Sequence, residues 1–181
     1  MLIGGWSASS AVCRAVAAEI VDIEMVGTPG GARVWFSPAG VLIRPGQAVR
    51  WTNLDKGNSH TATGYHPERY GRQRRAPLNA GSWDSGFLLP GEHFMLSFNV
   101  PGVYDYYCLP HEHAGMVGRI IVATPDIPPT LSIGADGIPP PEIALKAFPS
   151  VERIRQDTRV ELAPEAGEHV HHNAIAPETV K

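Results

Sequence analysis

The chain has 181 residues, which corresponds to one domain of roughly 100–150 residues with something added, so one core is expected rather than two. With 43% hydrophobic and 18% charged residues, 19 glycines and 17 prolines, it carries less charge and more turn formers than an average globular chain, which favours an all-β protein over a helix bundle. A net charge of −3 leaves no basic footprint and argues against nucleic acid as a partner.

The first element in chain order is residues 1–18. The stretch 2–18 is too short, and too broken by Gly and Ser, to span a bilayer. It ends in Ala15-Val16-Ala17-Ala18, small residues of the kind a signal peptidase accepts, with cleavage expected before Glu19. Against an export signal stand the lack of Lys or Arg near the start, Arg14 close to the cut and a weak apolar stretch, so a non-cleaved or mis-started N-terminus stays open beside it. The favoured reading is export, which places the protein in the periplasm or otherwise outside the cytoplasm. Cys13 lies in this segment and Cys108 is the only other cysteine, so no structural disulfide is expected; the residues before Cys13 do not suit a lipoprotein anchor.

From Glu19 the pattern becomes short β-like runs bounded by turn residues: 20–26, 33–36, 41–44, 48–53, 59–63, 93–98, 102–107 and 117–123. Pro45-Gly46, Pro90-Gly91 and Pro101-Gly102 mark turns, because Pro fixes one turn dihedral and Gly supplies the positive one. Eight short strands with tight turns predict an eight-stranded Greek-key β-sandwich over residues 19–123. Trp35, Trp51 and Trp83 are read as core or rim packing.

Two regions break the rhythm. Residues 65–85 form a long polar excursion with Arg69, Arg72, Arg74 and Arg75, read as a solvated surface loop first and as a docking patch for an acidic partner second. Residues 124–181 form a C-terminal extension, partly helical or disordered. Its Pro-rich start, 125–141, should run extended over the surface. Residues 141–160, with apolar Ile143, Leu145, Phe148, Val151 and Ile154, are compatible with a short helix interrupted near Pro149 that packs back on the domain or binds a partner. The end, with His169, His171 and His172, reads as disordered; a metal-scavenging role for it competes with a chance cluster.

The strongest signal is Tyr107-Cys108-Leu109-Pro110-His111-Glu112-His113-Ala114-Gly115-Met116-Val117-Gly118, with Ser59-His60 far upstream. Thiolate and thioether suit cuprous ion and imidazole suits both copper states. A trigonal His2Cys plane with a weak axial Met therefore favours neither geometry strongly. One loop between two strands can bring Cys, His and Met to a single ion while His60 arrives from another strand. A Cys-x2-His pair alone would be a weak signal; the full combination is specific. His113, at +5 from the cysteine, competes with His111 at +3 as the second imidazole. Met116 at +8 matches the +3 choice. His66 and His93 are read as surface residues rather than ligands.

These residues, together with the run Ile43-Arg44-Pro45-Gly46-Gln47-Ala48-Val49-Arg50-Trp51-Thr52-Asn53, resemble the cupredoxins of the plastocyanin and pseudoazurin type over about residues 19–123. The resemblance implies one type 1 copper ion held by His60, Cys108, His111 and Met116. It also implies an electron carrier rather than an enzyme, and an exposed edge of His111 ringed by Leu109, Pro110 and Gly115 as the electron port. Redox proteins are then the partners, with neither nucleic acid nor a transmembrane span, and the C-terminal extension is a candidate docking or subunit element. Where many members have Asn or Ser after the first His, this chain has Thr61, whose hydroxyl could fasten the two ligand-bearing segments in their place. The rival class is copper storage or delivery; a fragment of a copper enzyme is disfavoured because the Cys-x2-His pattern does not repeat.

Overall fold

A computed structural model of the protein describes residues 19–29, 32–124 and 129–162. The segment 1–18 with Cys13, residues 125–128, and His169, His171 and His172 lie outside the described residues.

Alternation of apolar and polar side chains builds the first sheet. Strand β1 (Ile20–Gly27) buries Ile23 and Met25 and turns Asp22 and Glu24 outward. Strand β2 (Val34–Ser37) buries Val34 and Phe36, and β4 (Ala48–Asn53) buries Val49, Trp51 and Asn53. With β6 (His93–Ser97) these give the order β2-β1-β4-β6, in which β1 and β4 run parallel and the other pairs antiparallel. On the solvent face Arg50 opposes Asp22 in register and donates to it at 2.6 Å.

The second sheet has the order β5-β7-β8-β3-β9, formed by β5 (Thr63–Gly64), β7 (Gly102–Tyr107), β8 (Val117–Val122), β3 (Gly40–Ile43) and β9 (Arg159–Val160). Between the sheets lie Ile23, Met25, Phe36, Val49 and Trp51 from one side and Val41, Ile43, Tyr104, Tyr106, Ile120 and Val122 from the other. Trp51 meets Tyr106 edge-on with ring centroids 5.5 Å apart, an arrangement aromatic pairs prefer. Sheet class and the sandwich therefore agree with the reading of the sequence.

Every residue of β7 and β8 is buried, the pattern of strands covered on both faces. The cover comes from two segments that the sequence leaves ambiguous. Helices α1 (Glu142–Ala147) and α2 (Val151–Asp157) flank Pro149, as the interruption near that residue suggests; Ser150 caps α2 by accepting from the Arg153 amide at 3.1 Å. Ile154 is fully buried against Val103 and Ile121, and Ala144 against Tyr65, Tyr107 and Val117. Residues 129–141 run extended, held to the 65–85 loop by main-chain bonds from Gln73 to Ile138 and from Ile138 to Gly71, both 2.8 Å.

One buried carboxylate fastens both covering segments. Asp105, on the outer face of β7, accepts from Arg75 of the loop at 2.8 Å and from Arg119 of β8 at 2.7 Å; Arg119 in turn donates to the Pro149 carbonyl at 2.8 Å. Both guanidinium groups lie over the Phe148 ring, 5.4 and 5.0 Å from its centroid. Burial of a charge is tolerated where both oxygens are paired and hydrogen-bonded in this way.

Several expectations are corrected. The run 59–63 is a strand only from Thr63 onward; its first part is extended chain committed to a single bridge between His60 and Leu88. The 65–85 loop is not a solvated basic patch: Arg72 and Arg75 turn inward to Glu112 and Asp105. His66, expected at the surface, is buried, whereas His93 is exposed as expected. Trp51 and Trp83 are buried and Trp35 is partly so. Strand β9 has no counterpart in the sequence reading. Among the described residues no helix is long and apolar enough to cross a membrane.

Truncating Ile154 to Ala removes three carbons from a fully buried site and should cost about 2–5 kcal/mol in urea unfolding. Tryptophan fluorescence and far-UV circular dichroism should then report one shared, shifted transition. A loss below about 1 kcal/mol would mean that the extension lies outside the cooperative unit.

Candidate metal centre

The upstream imidazole is placed by main-chain pairing. The His60 amide donates to the Leu88 carbonyl at 3.2 Å and the Leu88 amide returns the bond at 2.8 Å, so residue 60 is fixed to the chain that leads into β6. Behind the ring, Nε2 of His60 is 3.0 Å from Oδ2 of Asp55, and both side chains are buried. A carboxylate only accepts, so the proton sits on Nε2, and the lone pair of Nδ1 faces the opposite way, into the site.

The other donors come from the connection between β7 and β8. The Cys108 amide donates to the Met116 carbonyl at 3.0 Å and closes the neck of the loop; the His111 amide donates to the Cys108 carbonyl at 3.1 Å. A 3-10 turn, Glu112–Ala114, ends at Gly115 with φ of 78°, a left-handed conformation that suits glycine and returns the chain to Met116. The side chain of Met116 is buried in the same cluster as Cys108.

The two segments are tied at Thr61. Its amide donates to Sγ of Cys108 at 3.3 Å, and its hydroxyl oxygen accepts from the Leu109 amide at 2.8 Å. The hydroxyl proton passes on to Thr63, which donates to Asp84, so each polar group in the chain is used once in each direction. Thr61 thus provides the fastening expected of it.

Nδ1 of His60, Nδ1 of His111 and Sγ of Cys108 form a triangle with sides of 3.5, 3.5 and 3.2 Å. The centre of such a triangle lies about 2 Å from each corner, close to the roughly 2.0–2.3 Å of imidazole and thiolate bonds to a first-row metal ion. Among the described residues this is the group able to hold a metal, and two of its three members are fully enclosed while His111 is partly exposed. Burial pushes the Cys108 thiol up to about 11, against hydrogen bonds from Thr61 that favour the thiolate. Burial and the neighbouring His60 lower His111, so the ring is a neutral donor near neutral pH. Burial raises Asp55, but bonds from Asn58, Gly57 and His60 outweigh it and hold the carboxyl below its usual range.

The structure brings His60, Cys108 and His111 to one point, buries Met116 in the same core cluster as Cys108, and leaves His113 exposed. Residues that the sequence reading did not single out support them. Glu112 is buried, accepts from the Tyr65 hydroxyl at 2.7 Å and pairs with Arg72, which anchors the ligand loop to the 65–85 segment. Asp55 stands behind His60. Their type and position, acidic residues in polar turns, read as surface; only the pairing across distant segments reveals them.

A family model described as copper binding proteins of the plastocyanin/azurin family matches residues 23–123. The chain is 36% identical over 110 residues to a chloroplastic plastocyanin of Tetradesmus obliquus, covering 60% of this chain and 70% of that one. It is 35% identical over 97 residues to a plastocyanin of Scenedesmus fuscus, covering 54% and 94%. A pseudoazurin of Methylorubrum extorquens is 29% identical over 107 residues, covering 59% and 64%. Among solved structures, a pseudoazurin from Methylobacterium extorquens AM1 is similar with a TM-score of 0.44 at 27% identity, covering 58% of this chain and 76% of that one.

Replacing Thr61 with Val keeps the amide bond to sulfur but strips the acceptor from the Leu109 amide and removes the bond to the Thr63 hydroxyl, which keeps only Asp84. Stability of the metal-free protein should fall by about 1–3 kcal/mol by chemical denaturation. An unchanged midpoint would show that the hydroxyl does not fasten the two segments.

Proposed function

Because the chain belongs to the plastocyanin/azurin family of copper-binding proteins, we propose that His60, His111, the Cys108 thiolate and the Met116 thioether would hold one copper ion. It is a type 1 copper protein that transfers single electrons between redox partner proteins by Cu(I)/Cu(II) cycling, and it transforms no substrate. The observation that carries the reading is the triangle of donor atoms, with sides of 3.2–3.5 Å.

Copper supplies the one-electron couple; the chain does the rest. His60 and Cys108, enclosed by the sandwich, exclude water from the donors. The bonds of Thr61 and the Leu88 bridge hold the donors in place, so little has to rearrange when charge changes. His111, partly exposed and flanked by Leu109, Pro110 and Gly115, offers the shortest route from the site to the surface. Contacts there are of the small, transient class that suits rapid turnover of partners.

The copper domain is assigned to residues 19–123 and the extension to 124–181. Packing of α1 against the ligand loop, with Ile143 next to Gly115, supports a docking role for the extension, because half-exposed Ile143 then borders the proposed electron port. Redox work of this kind and the ending of residues 15–18 fit an exported, periplasmic protein.

Loading with Cu(II) should produce an intense thiolate-to-copper absorption band that bleaches and returns in a redox titration and is absent from Cys108→Ser. A colourless protein that retains only Cu(I), or a band indifferent to Cys108, would sink this reading in favour of copper storage or delivery. Because the buried thiol titrates only near 11, it is protonated at neutral pH and cupric ion must displace its proton. Binding should therefore release about one proton per copper in weakly buffered solution, and affinity should rise about tenfold per pH unit between pH 7 and 9. Cys108→Ser should abolish that release.

A further inference from the structure

We infer that Asp55 is a positioning residue for the metal, whose carboxylate fixes the His60 imidazole from behind and adds negative charge that favours Cu(II) and lowers the reduction potential. The inference rests on the reading of His60 as a ligand. Three observations carry it.

First, the contact is direct and dry: Oδ2 of Asp55 is 3.0 Å from Nε2 of His60, with side-chain exposures of 5% and 0%. Second, the carboxylate sits in a built cradle. The Gly57 amide donates to Oδ1 at 2.9 Å, the Asn58 amide group donates to Oδ2 at 2.8 Å, and the Asp55 amide donates to Oδ1 of Asn53 at 2.9 Å. On the opposite side Gly27 leaves room that any Cβ would fill, since a side chain there would overlap the carboxylate itself. Third, among the described residues no Lys or Arg forms an ion pair with Asp55, so its charge is not cancelled locally and acts along the imidazole.

A carboxylate behind a ligating histidine does two things. It holds the ring orientation and the Nε2–H tautomer, and it raises the basicity of the nitrogen facing the metal. Both effects are larger for the doubly charged ion than for the singly charged one. A turn-capping role alone would account for the bonds from Gly57 and Asn58 but not for the one to His60.

The test compares Asp55→Asn with the wild type, both copper-loaded, by redox titration of the thiolate band. Loss of such a partner typically weakens metal binding by about 10–100-fold. If that loss falls on Cu(II), the potential rises by about 60–120 mV, since tenfold corresponds to 59 mV for one electron. The thiolate band should persist in the variant. An unchanged potential with an intact band overturns the inference and leaves the ligand assignment standing; absence of the band from the wild type overturns the assignment and the inference with it. Should the variant fail to fold, the reduced wild-type protein decides. Its His60 Nε2 proton should appear far downfield and exchange slowly in NMR spectra, and a rapidly exchanging proton there overturns the inference.

Discussion

Two hydrogen bonds at Thr61, to Sγ of Cys108 and from the Leu109 amide, join the two pieces of chain that supply the donor set among the described residues. They are short contacts between residues 47 and 48 positions apart in the chain, and they extend to the donors the register that Thr63 and Tyr107 set between β5 and β7. Further pairing frames the same donors: the Leu88 bridge behind His60, the neck between Cys108 and Met116, and the Glu112–Arg72 ion pair beside His111. Rigidity of the site is thus a property of the framework that surrounds it.

The second sheet shows the same strategy applied to the opposite face. Ordinarily one face of an antiparallel sheet packs on the core and the other meets water. Here the outer face carries Val103, Asp105, Ile121 and Arg119, and the chain covers it with its own extension and with the 65–85 loop. Asp105 is the common anchor, and the guanidinium pair over Phe148 turns a set of surface-type residues into interior ones. Cover and ligand loop are continuous, because Tyr65, Tyr107 and Val117 lie in one cluster with Ala144 and touch Leu109 at its margin.

Much of this was legible in the sequence. Period-two alternation and Pro-Gly turns located seven of the eight runs close to their observed bounds, and the Cys-x2-His spacing with His60 upstream selected three residues, His60, Cys108 and His111, whose donor atoms converge. Illegible were the features that depend on tertiary pairing. The 59–63 run looks like a strand because Thr and Ala alternate there, yet its main chain is committed to the bridge at His60. Arginines 72 and 75 look solvated because their acidic partners, Glu112 and Asp105, lie dozens of residues away. Strand β9 has two residues, too few for any periodic signal, and exists because Leu42 donates to the Thr158 carbonyl and Ala39 to that of Val160.

That last strand has a consequence for how the molecule behaves among copies of itself. An open sheet edge is a template onto which another chain can add. By laying Arg159 and Val160 along β3, the chain occupies its own vacant donors and acceptors with a strand too short, and too charged at Arg159 and Glu161, to recruit a further neighbour. The extension therefore works as a selvedge: it finishes this edge of the sheet with the chain's own residues.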